Sequence, residues 1–189
     1  MMRATLKPKK CRACGVVFEP ARSMQSVCSP ICAQAWAQKD RVKKFEQAKR
    51  AERKDLCERL ERAKTRGTHL RELQGAFNAW VRARDAGKPC ISCGRFHQGQ
   101  WHAGHYRSVG SEPALRFEPD NAHLQCAPCN THLSGNLIPY RISLIKKIGI
   151  ERVEWLEGPH IPEKLTIAEI QEMKAFYRAE VRRMKREAA

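Results

Sequence analysis

Apolar residues recur at helical spacing in two separate stretches of the chain. Leu70, Leu73, Phe77, Trp80 and Val81 share one face of a helix predicted over about residues 69–86, stopped by Gly87 and Pro89. Ile167, Ile170, Met173, Phe176 and Tyr177 form a second stripe. It follows a capping box, Thr166-Ile-Ala-Glu169, and predicts a helix to about Glu187 with a basic end over 178–186. Both stripes read as packing faces. Between Ala33 and Arg66 there is no Gly or Pro, and Ala, Lys, Arg, Glu, Gln and Leu dominate. One long helix over 33 to about 65 follows, broken at Gly67. Its apolar positions, Trp36, Val42, Phe45, Leu56, Leu60 and Ala63, are too sparse for a well-buried helix, and Cys57 is expected to be semi-buried. Residues 130 to about 148 read as mainly helical with a break near Pro139, and 151–156 as a short helix after Gly149. Strands are predicted at Trp101–Tyr106 and directly after Asn121.

These elements describe an α+β chain that is mostly α. Its 189 residues allow one ordinary domain or two small ones. The divisions expected are 1–32, a small turn-rich module; 33–66, the long helix; 67–158, the mixed region; and 159–189, a C-terminal basic helix. No run of about 18 apolar residues predicts a membrane span. Residues 1–10 carry basic side chains but no apolar core, so they do not read as a signal peptide. A reducing, cytoplasmic location is expected.

Charge changes the picture. The net charge is +16. Residues 1–66 hold 18 basic and 7 acidic side chains (+11), and the remainder 18 and 13 (+5). Such an excess supplies the sequence-independent attraction to phosphates that dominates nucleic-acid binding. The long helix is then either a solvated connector or an arm lying along a phosphate backbone.

Eight of the nine cysteines fall into four close pairs. Cys11-x2-Cys14 with Cys28-x3-Cys32, and Cys90-x2-Cys93 with Cys126-x2-Cys129, each read as a four-thiolate structural Zn2+ site. The first module cannot be held by its own core, so the metal would supply much of its folding free energy. The second quartet encloses Trp101-His102-Ala-Gly-His105-Tyr106 and is followed at once by Asn130. A neutral His105 can take a proton from water at neutral pH, and Asn130 can offer an oxygen to a hard cation. Phosphodiester hydrolysis needs those two functions plus positioning of the strand.

These residues resemble the zinc-braced ββα-metal, or HNH, nucleases. The residues 76–94, Ala103-Gly-His105-Tyr-Arg107, Cys126-x2-Cys129-Asn130 and Ser134-Gly-Asn-Leu-x-Pro-Tyr-Arg141 more narrowly resemble the NinG (Rap) recombination proteins of lambda-like phages. The resemblance implies a small ββα-metal module flanked by helices, and an endonuclease acting on branched recombination intermediates such as Holliday junctions and D-loops. It implies Mg2+ or Mn2+ as catalytic cation beside structural zinc. The implied setting is the cytoplasm of the bacterial host. The implied partners are branched DNA, a second copy of the chain for paired incisions, and other phage or host recombination proteins.

In that pattern His105 is the general base and Asn130 a metal ligand. Asn121 matches the middle Asn, which ties down the loop. The pattern departs at Gly104, where an acidic or His ligand is expected. His102 shares a strand face with Gly104 and is the candidate replacement. Alternatively, His105 itself binds metal and another group activates water. Arg82, Arg84, Arg107, Arg116 and Arg141 are candidate phosphate contacts. His123 reads as a core or surface histidine, and Ser134 as one helical turn after Asn130. Two other readings stand beside the junction nuclease. One is a non-catalytic zinc protein that binds nucleic acid, and the other an HNH nickase without junction preference.

Overall fold

A computed structural model describes residues 6–188; residues 1–5, part of the basic N-terminal stretch, lie outside the described residues. The chain divides into two compact units, residues 1–63 and 64–189. Among the described residues no helix is long and apolar enough to cross a membrane.

The first unit begins with a two-residue antiparallel ribbon, β1 (Lys9–Lys10) and β2 (Val17–Phe18), pairing Lys9 with Phe18. It continues into α1 (Pro30–Arg62). Ser29 caps α1 by accepting from the Cys32 backbone N–H at 3.2 Å, and Pro30 fits the first turn, where its missing donor costs nothing. The helix therefore starts earlier than 33 and carries Cys32 in its first turn. The four sulfurs of Cys11, Cys14, Cys28 and Cys32 lie within 4.8 Å of one another, with Cys14–Cys28 at 3.6 Å and Cys28–Cys32 at 3.5 Å. Tetrahedral Zn2+ with bonds of about 2.3 Å sets sulfurs about 3.8 Å apart, so the cluster could hold zinc. The Cys14 backbone N–H leads the contacts that bring the Cys11 thiol down to about 6, which favours the thiolate.

No residue of α1 is buried, and Phe45, Leu56, Leu60 and Cys57 are exposed. Cys57 is thus not semi-buried, because no element of the unit covers that face. The helix rests on propensity, its cap and surface pairs such as Asp40–Lys44 at 2.8 Å, each worth roughly 0.3–0.5 kcal/mol.

The second unit opens with α2 (Arg66–Arg84), followed by β3 (Trp101–His105), β4 (Ala122–Cys126), α3 (Leu137–Ile148), α4 (Ile150–Glu157) and α5 (Ile167–Glu187). The break expected at Gly67 lies just upstream of it. Thr65 caps α2 by accepting from Thr68 N–H, and Gly67 sits inside the first turn, where a glycine is tolerated. The capping box of α5 is present as predicted, with Thr166 and Glu169 exchanging bonds. α5 lies along α2. Leu73, Phe77, Val81, Ala122, Ile170 and Tyr177 form the shared core, and Lys174 bonds Glu72 at 2.7 Å. A second core joins Tyr106 and Leu115 to Tyr140, Leu144, Val153 and Leu156 of α3 and α4.

Residues 130–148 are not one helix. A π-type turn spans Pro128–His132, and Ser134, Gly135 and Asn136 then take positive φ of 48°, 91° and 46°. Three consecutive left-handed residues end any right-handed helix. Pro139 therefore falls within the first turn of α3, where it is tolerated, and Ser134 does not lie one helical turn from Asn130.

Cys90, Cys93, Cys126 and Cys129 form the second cluster, also within 4.8 Å, with Cys93–Cys126 at 4.0 Å. The set could hold zinc and ties the turn after α2 to the end of β4. Backbone and side-chain donors reach its sulfurs, Cys126 N–H to Cys90 at 3.4 Å and Asn136 Nδ2 to Cys129 at 3.5 Å.

Two outcomes follow from this architecture. Metal analysis of purified protein should find two zinc ions per chain, and Cys126→Ser should release one of them and lower the melting temperature; unchanged zinc content would remove the bracing role. In chemical denaturation, Leu144→Ala should cost about 2–5 kcal/mol, while Ile138→Ala, on a residue 80% exposed, should stay within about 0.5 kcal/mol.

Candidate functional site

The site is built on the β3–β4 hairpin. The strands run antiparallel with His102 opposite Gln125, Gly104 opposite His123 and His105 opposite Ala122. Side chains alternate along a strand, so Trp101, Ala103 and His105 share one face and His102 and Gly104 the other. Ala103 packs against the α2–α5 core, and the His105 ring lies 6.0 Å from that of Phe77.

His105 is half-buried, with Nε2 3.0 Å from the Arg116 carbonyl. A carbonyl only accepts, so Nε2 carries the proton and donates. Among the described residues no hydrogen bond engages Nδ1, which in the neutral ring is a free lone pair. Burial pushes the His105 pKa below the usual histidine value; the carbonyl bond opposes this and the Arg116 charge adds to it. The ring is therefore held neutral and oriented.

On the opposite face, His102 Nδ1 lies 2.8 Å from Asn130 Nδ2. Both residues are half-buried and reachable from solvent. The π-type turn after Cys126 carries Asn130 to this position, directly after the buried Cys129. His102 and Asn130 thus come together. His105 does not join them on that face.

Gly104 is not a vacancy. A Cβ built there would meet Gln125 Oε1 at 2.0 Å and Gln125 Cδ at 2.9 Å. Gln125 is fully buried and lies across the strand, with Nε2 donating to Ser92 Oγ at 2.6 Å and to Gly135 O at 2.5 Å. The Gly135 carbonyl can only accept, which fixes the orientation of the amide and leaves Oε1 buried without a hydrogen bond. Glycine at 104 thus allows Gln125 to reach the strained 134–136 turn and hold its central carbonyl. A glycine inside a strand marks a close approach of another group, and that was the available signal for Gln125.

Asn121 is fully buried. Its Oδ1 accepts from Arg107 N at 2.8 Å, and Nδ2 donates to the carbonyls of Arg107 and Leu115, each at 3.0 Å. It ties together both ends of the loop that also presents the Arg116 carbonyl to His105. Tyr140 OH donates to Gly104 O at 2.9 Å and anchors the hairpin on α3.

The arginines divide. Arg84 is committed inside the unit, to Asp85 at 2.7 Å, to the Ala122 and Pro119 carbonyls, and over the Trp80 ring at 4.9 Å. Arg141 forms a two-point pair with Glu157 at 2.7 and 3.0 Å, and Arg116 Nε donates to Gln74 at 2.7 Å. Arg107 has its Nε buried without a partner atom. Arg82 is exposed. His132 and Ser134 are also exposed, whereas His123 is 2% exposed. Beside the second cysteine cluster, His97 Nε2 lies 3.2 Å from Cys93 Sγ, a neighbour that the cysteine spacing did not disclose.

The family described as Bacteriophage Lambda NinG protein matches residues 3–187. The chain is 40% identical over 185 residues to the ninG protein of Escherichia phage 933W, covering 92% of each. It is 39% identical over 194 residues to that of Escherichia phage lambda and 38% over 193 to that of Salmonella phage P22, each covering 96% of this chain and 95% of the relative. No solved structure is detectably similar. A match over nearly the whole length, cysteine clusters and hairpin included, places the chain in the NinG family.

Proposed function

We propose that the chain is a metal-dependent endonuclease of the ββα-metal type that cuts branched DNA. The observation that carries this reading is the pairing of two potential ligand groups, His102 and Asn130, on a hairpin whose next histidine, His105, has Nε2 fixed and Nδ1 free. Two ligands at right angles on an ion with bonds of about 2.1 Å stand about 3 Å apart, and the His102–Asn130 pair is at 2.8 Å. Turning the Asn130 amide over would put Oδ1 beside His102 Nδ1, so both would present lone pairs. The orphaned Oε1 of Gln125, on the same face, is a further buried oxygen with no donor. These residues fit a Mg2+ or Mn2+ ion, which when bound would neutralise charge on the phosphate and its leaving oxygen.

The chain's own residues do the rest. His105 is the candidate base: its Nδ1 lone pair can take a proton from water, and its Nε2–H, held by the Arg116 carbonyl, fixes the ring and its tautomer. Asn121 keeps that carbonyl in place by closing the loop. Exposed Arg82 and the basic α1 offer attraction for the phosphate backbone. Preference for junctions rests on the resemblance to recombination proteins.

A second reading, a zinc-braced protein that binds nucleic acid without cutting it, draws on two observations. Gln125 fills the place where a carboxylate ligand would stand at 104, and His105 faces away from the His102–Asn130 pair.

Labelled four-way junction and linear duplex with Mg2+ or Mn2+ separate the two. Wild type should cut the junction, and His105→Ala should bind it unchanged while losing about 10²–10⁴-fold in rate. Equal cutting by both proteins, or none with any divalent ion, would leave the binding reading. The pH profile adds a check. The neutral ring is the base, so activity falls as pH drops through its depressed pKa, and the acid limb should have its midpoint below about 6.5. A third outcome concerns Gly104. Gly104→Asp alone should destabilise the fold by collision with Gln125. Gly104→Asp with Gln125→Ala should refold and bind Mn2+ more tightly than wild type by calorimetry; a refolded double variant with unchanged affinity would place the ion elsewhere.

A further inference from the structure

The second unit has a cavity of about 240 Å³ between the first turn of the second cysteine cluster and α3, and neither His102 nor Asn130 lines it. Lys88, Ser143 and Lys147 line it together with Asp85 and His123, and Pro89, Ile91 and Leu124 supply apolar wall. None of these side chains has a part in the cleavage chemistry above.

The charges around the cavity do not balance. Asp85 is 1% exposed and, among the described residues, is the only carboxylate lining it. Its Oδ2 accepts from Arg84 at 2.7 Å and from Leu124 N–H at 3.3 Å, and its Oδ1 faces Lys88 at 3.0 Å and Lys147 at 3.4 Å. Three cations therefore converge on one carboxylate and leave two positive charges over.

His123 does not alter that sum. Its Nε2 faces the Asp120 carbonyl at 3.1 Å and so carries the ring proton. Its Nδ1 faces Lys147 Nζ at 2.8 Å and Arg84 Nη2 at 2.9 Å, which can only donate, so the ring is neutral. Burial and the Lys147 and Arg84 charges push its pKa down, while Asp85, 3.5 Å from Nδ1, opposes them.

Donors remain. Each ammonium has three hydrogens. Lys147 uses two at most, on His123 and Asp85, and Lys88 two at most, on Asp85 and the Arg84 carbonyl. The Lys88 side chain is 54% exposed and that of Lys147 33%. Ser143 lies one turn before Lys147 on α3, hence on the same face, and its hydroxyl makes no hydrogen bond among the described residues. Two ammonium groups and a hydroxyl around a concave, uncompensated positive site match the oxygens of a phosphate, and the apolar wall beside them suits the sugar or base edge of a nucleotide.

We propose that the Lys88–Ser143–Lys147 pocket is a nucleotide-phosphate site, separate from the cleavage site. The phosphate can come from a DNA strand or from a free nucleotide. The proposal does not require that the chain cuts DNA.

The test uses full-length, zinc-loaded, isotope-labelled protein titrated with inorganic phosphate, thymidine monophosphate and a 5′-phosphorylated tetranucleotide, followed by amide chemical shifts. Saturable shifts should concentrate at Gly94, Leu124, Ser143 and Lys147. Lys147→Gln should weaken binding about tenfold, the loss expected for one charge-assisted hydrogen bond, and Lys146→Gln should not. Ser143→Ala, which breaks no contact in the fold, should weaken it severalfold and serves if Lys147→Gln misfolds. Tighter binding of the tetranucleotide than of the monophosphate identifies a DNA strand as the source, and equal binding a free nucleotide. Shifts spread evenly over the basic residues, or unchanged affinity in both Lys147→Gln and Ser143→Ala, would overturn the proposal.

Discussion

The second unit depends on drawing four sulfur atoms to one point. Cys90 and Cys93 stand on the turn that follows α2, and Cys126 and Cys129 at the end of β4 and in the turn beyond it. A two-stranded hairpin is marginal alone. Here its open end is clamped by the cysteines, one face is covered by α2, and the other is anchored through Tyr140 on α3. A metal held at this point would fix the distance between the strand that carries His102 and the turn that carries Asn130. The cysteine-bearing turns set where His102 and Asn130 stand.

The hairpin's two faces then have different duties. One presents His105 against an aromatic core, neutral and with its tautomer set by a carbonyl. The other holds His102, Asn130 and the buried amide of Gln125. Gly104 stands between these groups and is explained by packing. Its missing side chain makes room for Gln125, which in turn holds a left-handed turn next to Asn130. Most of the arginines near the hairpin bond to the protein itself, so exposed positive charge is concentrated on α1, where no side chain is buried, and on lysines of the second unit.

Much of this was legible in the sequence, for physical reasons that differ by element. α2 and α5 announce themselves because each packs an apolar stripe on the other, although Ile167 and Phe176 of the α5 stripe are exposed, and the Thr166–Glu169 box is local chemistry. The cysteine quartets are legible because zinc fixes both ligand type and spacing. Boundaries set by caps were misplaced at Gly67 and at residue 33, since Thr65 and Ser29 decide them. The supposed helix from Asn130 failed because left-handed φ at Ser134 and Asn136 is a tertiary demand, met by bonds from Ser92 and Gln125 that lie 43 and 10 residues away from Gly135. Gln125 and the Asp85 cluster were hidden for the same reason: their partners come from other elements. Single arginines could not be sorted into phosphate contacts and internal struts without knowing that Glu157 faces Arg141, or that Asp85 sits beside Arg84 in a buried position.

The most direct measurement is the anomalous diffraction of crystals soaked in Mn2+, collected so that manganese and zinc can be told apart. A manganese peak should lie within bonding distance of His102 Nδ1 and the Asn130 amide oxygen, distinct from two zinc peaks at the cysteine clusters. Manganese bound elsewhere, or absent from ordered sites while both zincs are present, would contradict it.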